Sequence, residues 1–264
     1  MAHLQGTFFS KELSRSTHFQ AILCNDNGYP TEGNPHFQRP VKNVYLLHGY
    51  CGNDTDWPDN SPLNELANTY NVNFFTMQGD NSFYLNQEAS CCKYQNFVGK
   101  EFIDYTRDTF NLSSRKEDTI IGGLSMGGFG AIHTGLAYPY TFGKIIALSS
   151  ALIINGIKDM EPGTGNEVAN YAYYYQVFGD LGKLKESNND PEYQIDTLLA
   201  NNTPIPDIFM AVGIEDFLYQ ANIEFKDYLI SKNVPVTFWD GPGVHDFKFW
   251  REWLVKGLDW AFAD

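Results

Sequence analysis

The chain has 264 residues, with 18 basic and 32 acidic side chains, a formal net charge of −14 and a pI near 4.7. The basic residues are scattered, so a phosphate backbone would be repelled; nucleic acid is not expected as a partner, and the field favours a neutral substrate over a polyanion. No apolar run approaches the ~18 to 20 residues that cross a bilayer, so no membrane partner is expected. With 43% hydrophobic residues and no low-complexity linker, residues 1–264 read as one large α/β domain.

The first ten residues, Met1 to Ser10, lack the basic and apolar regions of a secretory signal, which points to a cytoplasmic protein, or a secreted one if a leader has been removed. Four cysteines do not make a disulfide scaffold in a chain of this size. Cys91 and Cys92 are adjacent, Cys24 and Cys51 stand alone, and no Cys/His spacing suits a metal, so free thiols are expected.

In chain order, Thr7 to Ser10 and Thr17 to Cys24 read as two strands of an antiparallel edge, and Asn25 to Pro40 as a turn-rich loop. Val41 to Leu47 is a continuous apolar strand, the pattern of a parallel strand covered on both faces. After the polar loop Cys51 to Trp57, Ser61-Pro62 opens a helix to Tyr70, with serine as N-cap. Asn73 to Met77 is the next strand and ends in the loop Gln78 to Tyr84, at a carboxyl edge where open α/β sheets place their ligands. Phe97 to Phe110 has helical spacing. Thr119 to Gly122 is a strand, and Ala131, Ile132, Leu136 and Ala137 mark a helix after it.

Lys144 to Leu148 continues the strand series. The pattern then loosens over residues 151–202, read as a cap-like insertion that shapes a pocket. Asp207 to Val212 resumes the strands, Tyr219 to Ser231 is helical, Val234 to Trp239 is the last strand and Asp246 to Ala261 a closing helix. This alternation predicts a mostly parallel sheet with helices on both faces.

Between the strand at 119 and the helix at 131 lies Gly123-Leu-Ser-Met-Gly127. In a Gly-x-Ser-x-Gly turn the serine sits at a strained apex with its hydroxyl exposed, and small neighbours let strand and helix approach. Ser125 is therefore the candidate nucleophile. A serine hydroxyl needs a base, and the base needs a carboxylate to fix its tautomer; on such sheets the partners follow in the order serine, acid, histidine. His3, His18 and His36 lie too early, His133 sits behind the turn, and His48 is better placed to shape a turn. That leaves His245, in the glycine-rich loop Gly241 to Phe247. Asp216 at the end of the strand 207–212 is the chosen acid, with its neighbour Glu215 as rival and Asp246 as a weaker candidate that could cap the last helix. Main-chain N–H groups of Met126 and Tyr50 are the expected oxyanion donors, with Cys51 an alternative to Tyr50.

Several segments carry a resemblance: Phe8-Phe-Ser-Lys11, Leu46-Leu-His-Gly-Tyr-Cys-Gly-Asn53 with Trp57, Asn81-Ser-Phe-Tyr84, Gly123-Leu-Ser-Met-Gly-Gly128, Val177-Phe-Gly-Asp-Leu181, Gly213 to Tyr219 and His245 to Trp250. On these, nearly end to end, the chain resembles the esterase D group of α/β hydrolases, and within it the bacterial tributyrin-esterase-like and feruloyl or acetyl-xylan esterase branch of carbohydrate esterase family 1. The resemblance implies an α/β-hydrolase fold and a serine esterase with no metal or organic cofactor. Its triad would be Ser125, Asp216 and His245, and it would release short-chain or hydroxycinnamoyl groups from small-molecule or carbohydrate esters.

Trp57, Asn81 and Tyr84 are the expected substrate contacts, although Trp57 and Tyr84 could equally pack over the sheet. Tyr171, Tyr173, Tyr174 and Tyr175 could stack on an aromatic acyl group or a sugar ring, or form half-buried cap packing. Runner-up readings are an S-formylglutathione hydrolase, whose loop carries cysteine where Gly52 stands here, an acyltransferase, and a non-catalytic binding module of the same fold. Homo-oligomer formation stays open.

Overall fold

The computed structural model describes residues 1–25, 31–87 and 91–263; part of the loop expected between Asn25 and Pro40 lies outside them. Eight strands form one sheet: β1 (Ala2–Ser10), β2 (Arg15–Leu23), β3 (Lys42–Leu47), β4 (Val72–Met77), β5 (Thr119–Leu124), β6 (Lys144–Leu148), β7 (Asp207–Gly213) and β8 (Val236–Gly241). Their order is β1-β2-β4-β3-β5-β6-β7-β8. The β1–β2 and β2–β4 pairs are antiparallel, and every other pair is parallel. This is the mostly parallel sheet that the alternation of segments predicts, and its order agrees with the α/β-hydrolase fold that the resemblance implies.

Register sets where the chemistry can gather. Leu47 pairs with Gly123, Leu124 with Leu148, and Gly213 with Gly241. The chain therefore leaves β3, β5, β6, β7 and β8 along one carboxyl edge, at residues 48, 125, 149, 214 and 242.

The strands alternate sides. Tyr45, Leu47, Phe75 and Ile121 pack on one face, with Phe102 and Ile103 of α4 (Phe102–Phe110) and Phe129 and Ile132 of α5 (Met126–Ala137). Val44, Leu46, Phe74 and Ile120 pack on the other, with Leu63 and Leu66 of α2 (Leu63–Tyr70) and Trp253, Leu254 and Leu258 of α10 (Phe247–Phe262). Both faces are covered, which is why these strands read as continuous apolar runs instead of alternating ones. The remaining helices are α1 (Asp56–Asn60), α3 (Tyr94–Asn96), α6 (Ile154–Ile157), α7 (Tyr171–Phe178), α8 (Pro191–Ala200) and α9 (Tyr219–Ser231), and a π turn over Phe97–Glu101 joins α3 to α4.

Two local expectations need correction. Ser61 is not the N-cap of α2: it closes α1, and the Leu63 N–H bonds its main-chain oxygen at 2.8 Å, so Pro62 takes the cap position without a side-chain bond. The last strand begins at Val236, not Val234. The Val234 N–H instead donates to Leu229 at 2.9 Å and finishes α9 through Asn233 in the left-handed region.

Residues 151–206 run between β6 and β7 and carry α6, α7 and α8. One fastening to the core is His133 of α5, which is fully buried, lies parallel to Phe129 at 5.6 Å and faces Asn188 O through Nε2 at 2.7 Å. Burial pushes this imidazole down to about 4, against the hydrogen bond to Asn188. Folded pKa thus lies below the unfolded ~6.5, so the unfolded chain binds the extra proton between pH 6.5 and 4 and stability falls as pH falls through that window. Replacing His133 with Gln should flatten the pH dependence of unfolding free energy between pH 4 and 6.5, by up to about 3 kcal/mol, in urea titrations.

A second expectation concerns the junction of β5 with α5. A Cβ on Gly127 would overlap the carbonyl oxygens of Leu47 and His48, and one on Gly123 would overlap Gly127 itself. These are backbone atoms of the sheet edge and cannot rotate away. Gly127→Ala should cost about 1–3 kcal/mol of stability, read as a lower urea midpoint.

Candidate active site

Ser125 occupies the sharp junction between β5 and α5, with φ 54° and ψ −118°. Its N–H donates to Leu148 O at 2.9 Å, and its carbonyl accepts from Phe129 (3.0 Å) and Ala151 (2.9 Å). With the main chain pinned on both sides, the hydroxyl projects from the sheet edge. Oγ lies 3.0 Å from His245 Nε2.

His245 stands in the loop between β8 and α10, and its Nδ1 lies 2.8 Å from Asp216 Oδ2. Asp216 is fixed in turn. It sits in the turn after β7, its side chain wholly buried, and its Oδ1 accepts from the Leu218 N–H at 2.9 Å. Burial pushes the carboxyl up, but hydrogen bonds from His245, the Leu218 N–H and Ser149 outweigh that and hold it below the ordinary aspartate value. An ionised Asp216 makes Nδ1 the protonated nitrogen and leaves Nε2 to accept from the serine.

The neighbouring carboxylates have other duties. Glu215 accepts from the Gly243 N–H at 2.7 Å and staples the histidine loop to the acid's turn. Asp246 caps α10 through the Phe249 N–H at 2.9 Å. Of the three acids weighed from sequence, Asp216 is the one facing the imidazole. The ring itself is bracketed by Phe217 at 4.6 Å and, edge to face, by Trp250 at 4.9 Å.

Across the elbow, Gly49 lies against Leu124 and Ser125. His48 is buried and neutral in its hydrogen bonding: Nδ1 donates to Gly49 O at 2.7 Å, and Nε2 accepts from the Gly79 N–H at 2.8 Å. Burial pushes its pKa down. As expected from sequence, it shapes the turn. The next residues divide clearly. Cys51, at φ 62°, donates its N–H to Asn81 Oδ1 at 2.7 Å, whereas the Tyr50 N–H has no acceptor among the described residues. Met126 is the first residue of α5, so its N–H has no carbonyl one turn back.

Of the three expected substrate contacts, two are corrected. Trp57 is buried, donates Nε1–H to Leu47 O at 2.9 Å and packs on Phe247. Tyr84 is also buried and donates to His48 O at 3.0 Å. Both brace the end of β3 because a buried indole N–H or phenol O–H needs an acceptor, and an exiting strand supplies free carbonyls. Asn81 does lie at the surface beside Cys51, with its carbonyl accepting from Tyr173 OH at 2.8 Å. Within the tyrosine cluster, Tyr173 meets Tyr50 edge to face at 5.7 Å, Tyr174 is buried, and Tyr171 and Tyr175 stack on each other.

Sequence reasoning missed Ser149, Trp250, Phe217 and Asn222. Asn222 is fully buried; its Oδ1 accepts from the Ser150 N–H at 3.1 Å, and its Nδ2 donates to Ser150 O and Leu218 O at 2.9 Å each. Helical spacing marks Asn222 only as a position on α9, and nothing local announces that it ties two turns together. Among the described residues no cluster of three or more His, Cys, Asp or Glu could hold a metal, and no helix is long and apolar enough to cross a membrane.

Comparison with known proteins shows what the chain is similar to. The family model described as "Putative esterase" matches residues 10–261. An acetyl esterase of Caldicellulosiruptor saccharolyticus is 40% identical over 98% of each chain. A fluorophosphonate-binding serine hydrolase of Staphylococcus aureus is 29% identical, with TM-score 0.85 over 100% of this chain and 99% of its own. An S-formylglutathione hydrolase of the same organism is 29% identical, with TM-score 0.83 over 98% of both chains.

The reassignment of Tyr84 can be checked directly. Tyr84→Phe should lower stability by about 1 kcal/mol, the net worth of one buried hydrogen bond. KM for any ester substrate should stay within about twofold, since removing a buried brace takes away no direct substrate contact.

Proposed function

We propose, for a chain that belongs to the Esterase family and is a carboxylic ester hydrolase, that hydrolysis proceeds through an acyl-enzyme on Ser125. The observation that carries this reading is the continuous hydrogen-bonded chain from Ser125 Oγ through His245 to Asp216, at 3.0 and 2.8 Å.

In the first half-reaction His245 Nε2 takes the hydroxyl proton as Ser125 Oγ attacks the ester carbonyl. Negative charge moves onto the carbonyl oxygen, where the N–H groups of Tyr50 and Met126 receive it. Asp216 stabilises the imidazolium without taking its proton. Collapse of the tetrahedral species expels the alcohol, which leaves with the proton from Nε2. Water then repeats the sequence: His245 deprotonates it, it attacks the acyl carbonyl, and Ser125 Oγ leaves reprotonated. Cys51 is not assigned as an oxyanion donor because its N–H is already spent on Asn81.

The substrate is read as a short-chain ester, acetyl first, with a neutral alcohol such as a sugar hydroxyl. Support for the acyl group comes from the acetyl esterase relative. For the alcohol it comes from the aromatic rings at the site, Phe217 against His245 and the Tyr50–Tyr173 pair beside the proposed oxyanion donor, in a chain of net charge −14. A thiol ester is the second reading, favoured by the staphylococcal S-formylglutathione hydrolase likeness.

Ser125→Ala should lower kcat on p-nitrophenyl acetate by at least about 10³-fold and abolish labelling by a fluorophosphonate probe. Turnover near wild type in that variant would overturn the assignment. A panel of acetyl, butyryl and feruloyl esters with S-formylglutathione should give the highest kcat/KM on an acetyl ester; S-formylglutathione leading the panel would favour the second reading.

A further inference from the structure

We infer that Phe217 is a specificity-determining residue: its ring forms a wall of the subsite for the leaving alcohol and selects, by face-to-face contact, esters whose alcohol carries an uncharged ring, a pyranose or an aryl group. The inference rests on the esterase reading above and adds to it the residue that meets the departing half of the substrate.

The chemistry fixes where the alcohol must sit. His245 Nε2 hands its proton to the departing oxygen, so that oxygen comes within hydrogen-bond reach of the imidazole, and the carbon skeleton behind it lies against whatever borders the ring. Nδ1 faces Asp216 at 2.8 Å, and Nε2 faces Ser125 Oγ at 3.0 Å. Trp250, buried and tied by its Nε1–H to Ser149 Oγ at 3.0 Å, stands edge to face against the imidazole at 4.9 Å. Phe217 meets it at 4.6 Å, with the two planes 50° apart. Of these four neighbours Phe217 is the exposed one.

Single exposed apolar side chains are ordinary on protein surfaces. Phe217 differs in what it touches and in how it is held. The residue is 72% exposed although its ring lies against the imidazole. Its main chain is closed in a turn on either side: the Asp216 N–H donates to Gly213 O at 3.1 Å, the Leu218 N–H to Asp216 Oδ1 at 2.9 Å and the Tyr219 N–H to Asp216 O at 2.9 Å. A phenyl ring fixed in water beside the reacting group sheds that water when a flat apolar face covers it, and a pyranose C–H face or an aryl ring supplies one where methanol does not. Charge points the same way. Glu215, two positions earlier and exposed, is held on the same turn by the Gly243 N–H at 2.7 Å, so an anionic alcohol would meet a carboxylate there. Were Phe217 only a cover that keeps water from the imidazole, it would serve both half-reactions alike; as a wall for the alcohol it acts in acylation, while the alcohol is still present.

The test uses Phe217→Ala and Phe217→Tyr in the full chain, with kcat/KM on methyl acetate, benzyl acetate and an O-acetylated methyl xylopyranoside, the rate at which a preformed acetyl-enzyme releases acetate, and thermal unfolding. Phe217→Ala should lower kcat/KM about tenfold on the two ring-bearing esters and by less than about twofold on methyl acetate. Release of acetate should stay within about twofold of wild type, because the alcohol has left by then, and Phe217→Tyr, which keeps the ring, should hold all three esters within about twofold. A loss confined to benzyl acetate would support the wall with an aryl alcohol as its occupant, and one confined to the xylopyranoside would support it with a sugar. An equal loss on all three esters, slower acetate release, or no loss on any ester would overturn the inference while the esterase reading stands, as would activity lost only in step with thermal stability. The esterase reading fails by a different result, a wild-type chain that turns over none of the three esters, and this inference would fall with it.

Discussion

The conformation of a single residue, Ser125 at φ 54° and ψ −118°, is the constraint around which the sheet edge is arranged. Such a conformation costs about 1–3 kcal/mol and persists only when neighbours over-determine it. Three main-chain hydrogen bonds do so, reaching Leu148 on the adjacent strand, Phe129 in the following helix and Ala151 beyond β6. Glycine at 123 and 127 is the steric condition for the same turn, since a Cβ at either would strike backbone. The hydroxyl is presented because everything around it is closed: β3 on one side, β6 on the other, and α5 packed behind.

The same edge shows why one histidine of the three near the elbow can exchange protons. His48 uses both ring nitrogens on backbone, at Gly49 O and Gly79 N–H, and His133 uses its own on Asn188 O and Gln95. Burial lowers the pKa of both, so they stay neutral and serve as struts. His245 differs in kind. It is partly open to solvent, one nitrogen is committed to a buried carboxylate, and the other meets a hydroxyl. At Asp216 the His245 and Leu218 donors act against burial and hold the carboxyl below the ordinary aspartate value, so the carboxylate keeps the Nδ1 proton facing it.

Much of this was legible in the sequence because it is local. Apolar runs bounded by glycine and asparagine gave the strands from β3 to β7 within a residue or two, and Lys144–Leu148 and Tyr219–Ser231 match without change. The positions of Ser125, Asp216 and His245 follow from motif order along a parallel sheet, since each follows a strand that ends at the same edge. Long-range hydrogen bonding was not legible. Trp57 and Tyr84 looked like pocket aromatics because large rings on loops often are, and only the partner of the indole N–H or phenol O–H, a strand carbonyl ten or more positions away, marks them as braces. Ser149 and Asn222 were silent for the same reason: their partners lie 101 and 72 positions off in sequence.

The segment between β6 and β7 also reaches the oxyanion side of the sheet edge. Tyr173 on α7 donates to Asn81 O, and its ring meets that of Tyr50; Asn81 in turn binds the Cys51 N–H. The peptide that presents the Tyr50 N–H is therefore clamped between β3, braced by Tyr84 and Trp57, and a helix of the insertion. The Tyr50 peptide is thus held through Asn81 and Cys51 to α7 on one side and through β3 on the other, so its N–H keeps one direction at the sheet edge.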